Sequence, residues 1–158
     1  MKNIDTALVA EKIERAAATA AGLAANREAL LGCLACTDYT TLRETDSPRS
    51  VQAFTRRAVE LTVEKGLPPV ASICVYPSLV DAVGVALAEA PAGSAAENIG
   101  ITAVCGAFPS GQTYMEVKML ECAMAIENGA DELDTVINVV FRADAGSGGE
   151  GERAGDDA

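Results

Sequence analysis

The chain has 158 residues, 49% of them apolar, enough for one domain with a real core. Twelve basic residues stand against 23 acidic ones with no histidine, and the resulting charge of −11 repels phosphate backbones and anionic lipid, so neither nucleic acid nor a membrane surface is an expected partner. No run of about 18 apolar residues occurs, and Met1-Lys2-Asn3-Ile4-Asp5 leads into a charged, alanine-rich pattern without a signal-peptide core, so the expected location is the cytoplasm.

Residues 5 to 30 carry Ala, Leu and Glu at helical spacing, with Ile4, Leu8, Ile13, Ala17, Ala20 and Leu23 as an apolar stripe broken or kinked near Gly22. Residues 1–29 therefore read as an N-terminal helical extension that either covers one end of the domain or hangs loose. Leu31 to Asp38 is an apolar run expected to be the first strand, closing in Thr37-Asp38-Tyr39-Thr40-Thr41-Leu42. Polar residues gathered at a strand's end mark a loop that carries function. Cys33-Leu34-Ala35-Cys36 has the C-x-x-C spacing of redox and metal sites. Its apolar setting, with no second pair and no histidine, favours buried reduced thiols within that strand, and Cys74, Cys105 and Cys122 read the same way.

Asp46-Ser47-Pro48 is a helix start, with a capping side chain and a proline inside the first turn. The helix is expected from about Pro48 to Lys65, with Val51, Phe54, Ala58, Leu61 and Thr62 on one face and Gly66 as its stop. Pro69 to Tyr76 predicts a second strand and Ser78 to about Ala90 a second covering helix. After a linker of small residues, Ile99 to Gly106 predicts a third strand. Gly106-Ala107-Phe108-Pro109-Ser110-Gly111 is a compact turn. Gln112 to Asn128 then reads as a long helix packing Val117, Leu120, Cys122, Met124 and Ala125 inward, capped by Gly129.

Gly129 to Val140 is a valine-rich fourth strand. Alternation puts Asp134, Val136 and Asn138 on one face and Leu133, Thr135 and Ile137 on the other. A carboxylate at Asp134 among apolar neighbours would be desolvated and suited to acid–base work, whereas near an exposed strand end it would simply be solvated. Four strand–helix alternations with uniformly apolar strands call for a parallel sheet covered by helices, either a doubly wound open sheet or a (β/α)8 barrel. No G-x-G-x-x-G follows the first strand, which weakens a dinucleotide fold. The last 18 residues hold five glycines and five acidic residues without Leu, Ile or Val, so residues 141–158 are expected to be a disordered tail.

Thr37 to Leu42, Ile73-Cys74-Val75-Tyr76-Pro77, Gly106 to Thr113 and Asn128 to Asn138 occur in one order, each at a strand's C-terminal end. Together they resemble the first half of the deoxyribose-phosphate aldolase family, over roughly residues 30 to 140. The resemblance implies the first half of a (β/α)8 TIM barrel over residues 30–140. It also implies a metal-free class I aldehyde-lyase that splits 2-deoxy-D-ribose 5-phosphate into acetaldehyde and D-glyceraldehyde 3-phosphate through a Schiff base. By the same resemblance Asp134 is the acid–base relay aspartate, while Asp38, Thr40 and Cys74 lie near the substrate. Each of those three has a structural alternative: Asp38 caps its turn, Thr40 bonds backbone, Cys74 fills space.

The resemblance also exposes a departure. A class I aldolase needs a lysine amine as nucleophile, and the family carries it on a later strand. Here the lysines are Lys2, Lys12, Lys65 and Lys118, all reading as solvated helix positions or termini. The chain is therefore expected to be truncated before its Schiff-base lysine and inactive alone. One account is out-of-frame translation after about Asn138, where composition changes abruptly. Another is a split enzyme completed by a complementing half-barrel chain. The third is a non-catalytic half-barrel that binds or oligomerises with its own copies.

Overall fold

The computed structural model describes residues 4–138, so the glycine-rich and acidic stretch at 141–158 lies outside it. Helix α1 spans Thr6–Leu23, with Asp5 accepting from the Ala7 and Leu8 amides at its N-cap. It ends where the break was expected, and none of its residues is buried.

The next element differs from expectation. Residues read as a strand from Leu31 form helix α2 (Arg27–Ala35), capped by Asn26, and strand β1 is confined to Asp38–Thr40. Leu30, Leu31 and Leu34 sit at helical spacing, and a short apolar run does not by itself distinguish helix from strand. Cys33 and Cys36 consequently lie at the exposed end of a helix and are not core thiols.

Helix α3 (Pro48–Lys65) matches its expected limits because three local signals agree. Ser47 and Ser50 form a reciprocal capping box, Pro48 opens the first turn, and Gly66 at φ 58° ends the helix. Its inner face buries Val51, Thr55, Ala58 and Val59, and Phe54 stacks on Tyr39 of β1 with ring centroids 4.3 Å apart. Strand β2 (Ser72–Val75) is buried throughout and passes through a 3-10 turn at Pro77–Leu79 into α4 (Val80–Ala88). Strand β3 (Gly100–Cys105), helix α5 (Met115–Glu127) and strand β4 (Glu132–Thr135) complete the order.

The four strands are parallel and lie in sequence order β1-β2-β3-β4. The outward side chains Ile73, Val75, Ile101, Ala103 and Cys105 form one core with α3, α4 and Ala125 of α5. No helix of the described residues is long and apolar enough to cross a membrane.

Helix α5 departs from expectation. Ala125 is buried and Cys122 half-buried as read, but Val117, Leu120 and Met124 are exposed. The helix is apolar on three sides and has only one side against the sheet, so most of its apolar surface finds no neighbour. Lys118, read as solvated, is 4% exposed.

Candidate active site

Alternation along parallel strands sends every second side chain to the face opposite the helices. On that face the residues line up in two rows. In the first, the Ser72 hydroxyl donates to Asp38 Oδ1 at 2.7 Å, the Thr102 hydroxyl donates to Ser72 Oγ at 2.7 Å, and Glu132 Oε2 lies 3.3 Å from Thr102 Oγ1. Asp38 pairs in register with Ser72 and Thr102 with Glu132, while the row steps by two residues from β2 to β3. Such a step is the stagger a barrel needs in order to close.

The second row, one step nearer the C-terminal strand ends, is Thr40, Cys74, Val104 and Asp134. Cys74 is 3% exposed. Burial pushes its thiol up from the ordinary range, the Thr40 hydroxyl beside it acts the other way, and the Asp134 and Asp38 charges add to the rise. The group at Cys74 is thus a neutral thiol at physiological pH, a wall of the site and not a nucleophile.

Above the rows the loops are tightly held. Tyr76 Oη donates to the Leu42 carbonyl at 3.3 Å and its ring meets Phe108 edge-on. Asp46 accepts from the Thr41 hydroxyl at 2.7 Å and from the Arg43 amide, which fixes the loop after β1. The Thr41 bond, with the Arg43 and Ser50 contacts, holds the Asp46 carboxyl below its usual range against an opposing effect of burial. In the turn after β3, Gly106, Ala107 and Gly111 all have positive φ. The Ala107 amide there donates to Glu121 of α5, and Lys118 Nζ donates to the Val136 carbonyl at 2.8 Å.

Asp38, Thr40, Cys74 and Asp134 therefore share one face. Asp134 is exposed, as are Asp38 and Thr40, so the solvated alternative describes Asp134 in this structure. Its row ends at β4, and no described strand lies beyond β4 to cover it. The Thr40 hydroxyl donates to the Asp38 carbonyl, the backbone role foreseen as its alternative. Ser72 and Thr102 were missed as members of a polar row; the signal was a single hydroxyl in each of two otherwise apolar strands, on the face that also carries Cys74 and Val104. Among the described residues no group of three or more Cys, Asp or Glu side chains is placed to hold a metal ion.

No family model matches the chain. Human deoxyribose-phosphate aldolase is 34% identical over 120 residues, covering 69% of this chain. The enzyme of the same name from Kocuria rhizophila is 36% identical over 110 residues, covering 70%. This chain is similar to the deoxyribose-phosphate aldolases. Among solved structures, the deoxyribose phosphate aldolase of Aeropyrum pernix, described as a tetramer, superposes with a TM-score of 0.54 at 25% identity over 68% of this chain. The chain spans only 36% of the human aldolase, 42% of the Kocuria one and 40% of the Aeropyrum chain. Its four strands correspond to part of the TIM barrel of those aldolases.

Proposed function

We propose that this chain supplies four strands of a class I aldolase barrel that cleaves 2-deoxy-D-ribose 5-phosphate to acetaldehyde and D-glyceraldehyde 3-phosphate in the catabolism of that sugar phosphate. What supports the reading above all is that Thr40, Cys74 and Asp134 come from three different strands into one row at their C-terminal ends, where barrel enzymes assemble their sites. In this reading Asp134 takes and returns protons as the Schiff base forms and breaks, Asp38 and Thr40 hold sugar hydroxyls, and the neutral Cys74 thiol lines the pocket. Residues 30–140 act as the half-barrel, 1–29 as a helical extension and 141–158 as a tail, in a cytoplasmic protein.

The amine comes from elsewhere. Lys12, Lys65 and Lys118 stand on helices, and the ammonium of Lys118 is turned to a backbone carbonyl. A complementing half-barrel chain would supply the nucleophile, and its lysines would also face the acidic row. The test mixes this chain with the lysine-bearing remainder of a relative, adds the sugar phosphate, and measures acetaldehyde. The chain alone is expected to be inactive and to show no borohydride-trapped adduct. The mixture is expected to cleave, with the adduct on the added fragment, and Asp134→Asn should lower its rate about 10²-fold to 10⁴-fold. Trapping on a lysine of this chain, or full activity in Asp134→Asn, overturns the reading.

A second reading is favoured by the exposed apolar side chains of α5: a non-catalytic half-barrel that binds or oligomerises. It predicts a stable oligomer and no cleavage in any mixture.

A further inference from the structure

Because the segment from Leu31 forms the end of helix α2, Cys33-Leu34-Ala35-Cys36 lies at the surface and not in the core. The apolar setting that favoured inert thiols is gone, while the C-x-x-C spacing remains. Leu34, between the two cysteines, is half-buried and helps line a small cavity with Tyr39, Leu67 and Val70. It pins the segment, and both cysteines are exposed.

The Cys36 amide donates to the Cys33 carbonyl at 3.1 Å, which closes a tight turn between them. Residues three apart on a helix hold their Cβ atoms about 5–6 Å from each other and a disulfide needs about 3.5–4.5 Å, so bonding asks for a movement of about 1 Å. Cys36 can supply it. As the C-cap of α2, at φ −103° and ψ 12°, it has already left helical geometry. The other thiols are placed elsewhere: Cys74 and Cys105 are buried, and Cys122 on α5 has its Sγ 4.0 Å from the Thr135 hydroxyl of β4.

We propose that Cys33 and Cys36 form a reversible dithiol–disulfide pair that exchanges with low-molecular-weight disulfides of the glutathione class. One cysteine thiolate attacks the small disulfide, which gives a mixed disulfide and releases one small thiolate. The second cysteine thiolate attacks the protein sulfur of that mixed disulfide, closing the 33–36 bond and releasing the other small thiolate. Two electrons pass to the small disulfide, and the two protons given up by the cysteines end on the released thiols. The change is felt at β1. The Thr37 hydroxyl donates to the Cys33 carbonyl at 2.9 Å, and the Thr37 amide donates to the Leu34 carbonyl. The Thr37 carbonyl accepts from the Ala71 amide at 3.0 Å, immediately before the register pair Asp38 and Ser72. Drawing Cys36 inward tightens this last turn beside the strand that carries Asp38 and Thr40. The inference stands apart from the aldolase reading, because neither thiol belongs to the candidate site.

The test uses the full chain with Cys122→Ser, which removes the half-buried thiol. It is equilibrated at neutral pH in mixtures of oxidised and reduced glutathione, quenched with acid, alkylated and mapped by mass spectrometry. The expected product is a chain whose 33–36 peptide has lost two hydrogens, with glutathione adducts at either cysteine about tenfold rarer, since the second thiol attacks intramolecularly. Cys33→Ser and Cys36→Ser, each added alone, halt the exchange at its first step and should raise the adduct on the remaining thiol about tenfold above the parent. Hydrogen exchange at the amides of Cys36, Thr37 and Ala71 should slow several-fold on oxidation, with those of β3 unchanged. The absence of an internal bond at every glutathione ratio, glutathione carried on both cysteines, links between copies in its place, or single variants with no more adduct than the parent overturns the proposal. Unchanged exchange at Thr37 and Ala71 in the oxidised chain overturns its coupling to β1.

Discussion

Lys118 donates its ammonium to the Val136 carbonyl, two residues past Asp134 on the same chain path. The bond ties the first turn of α5 to the exit of β4 and so fixes how the chain leaves the strand that carries Asp134. Lys118→Ala removes the donor and the packed methylene stem together and should lower the free energy of unfolding by about 2 kcal/mol. Lys118→Met keeps the stem and should cost less. Urea unfolding followed by circular dichroism measures both, and equal effects would mean that the stem contributes nothing.

Gly106 is held by neighbours on every side. At φ 75°, an added Cβ would lie 2.8 Å from the Val136 carbonyl oxygen and 3.0 Å from the Val136 nitrogen. These are backbone atoms and cannot swing away. Gly106→Ala is therefore expected to destabilise by about 2 kcal/mol or more, through strain and backbone displacement together. A change in urea midpoint indistinguishable from that of an exposed helix substitution would contradict the close approach.

The cysteines should divide by access. Cys33 and Cys36 are exposed, and iodoacetamide at neutral pH should modify them first. Cys74 and Cys105 are buried and should react only on unfolding. Burial pushes Cys105 up to about 12, aided by the neighbouring Cys122 and Glu121. Raising the pH to 9 should accordingly leave Cys105 unmodified while the chain stays folded, which timed peptide mapping can follow.

Legibility tracked locality. Helix α3 could be read to the residue because Ser47, Pro48 and Gly66 act within one turn of its ends. Strands β2, β3 and β4 were readable from apolar runs, but the first such run became helix α2, and strand length was overestimated, since only pairing with a neighbour decides where a strand stops. Cys33 and Cys36 were misplaced because Leu30, Leu31 and Leu34 suit either element, although Asn26 three residues before Ala29 was an available cap signal. Period-two alternation gave the faces within β4, whereas the placing of Cys74 beside Asp134 came from the family resemblance and not from spacing. The links among Asp38, Ser72, Thr102 and Glu132 followed from neither, because they cross strands far apart in sequence. Lys118 was misread for the same reason: its partner lies on another element.

Asp46 should make stability depend on acid. Its folded-state pKa lies below the ordinary carboxylate value of 3.8, chiefly through the Thr41 hydroxyl. Its contribution is present in full above the unfolded value and disappears as pH falls through the lower folded one. Asp46→Asn should thus lower the urea midpoint at pH 7, and the gap from the parent chain should narrow below about pH 4. A gap that widens on acidification would reverse the sign and exclude Asp46 as the cause.

The hydroxyl and carboxylate row across β1 to β4 also works as a sorting code. An oily sheet laid over that face would strand Asp38 and Glu132 without water or counter-charge, and the mismatch would make the wrong assembly come apart. A surface that brings cations or hydrogen-bond donors to the matching height can shut over it, so the row screens its covering by chemistry.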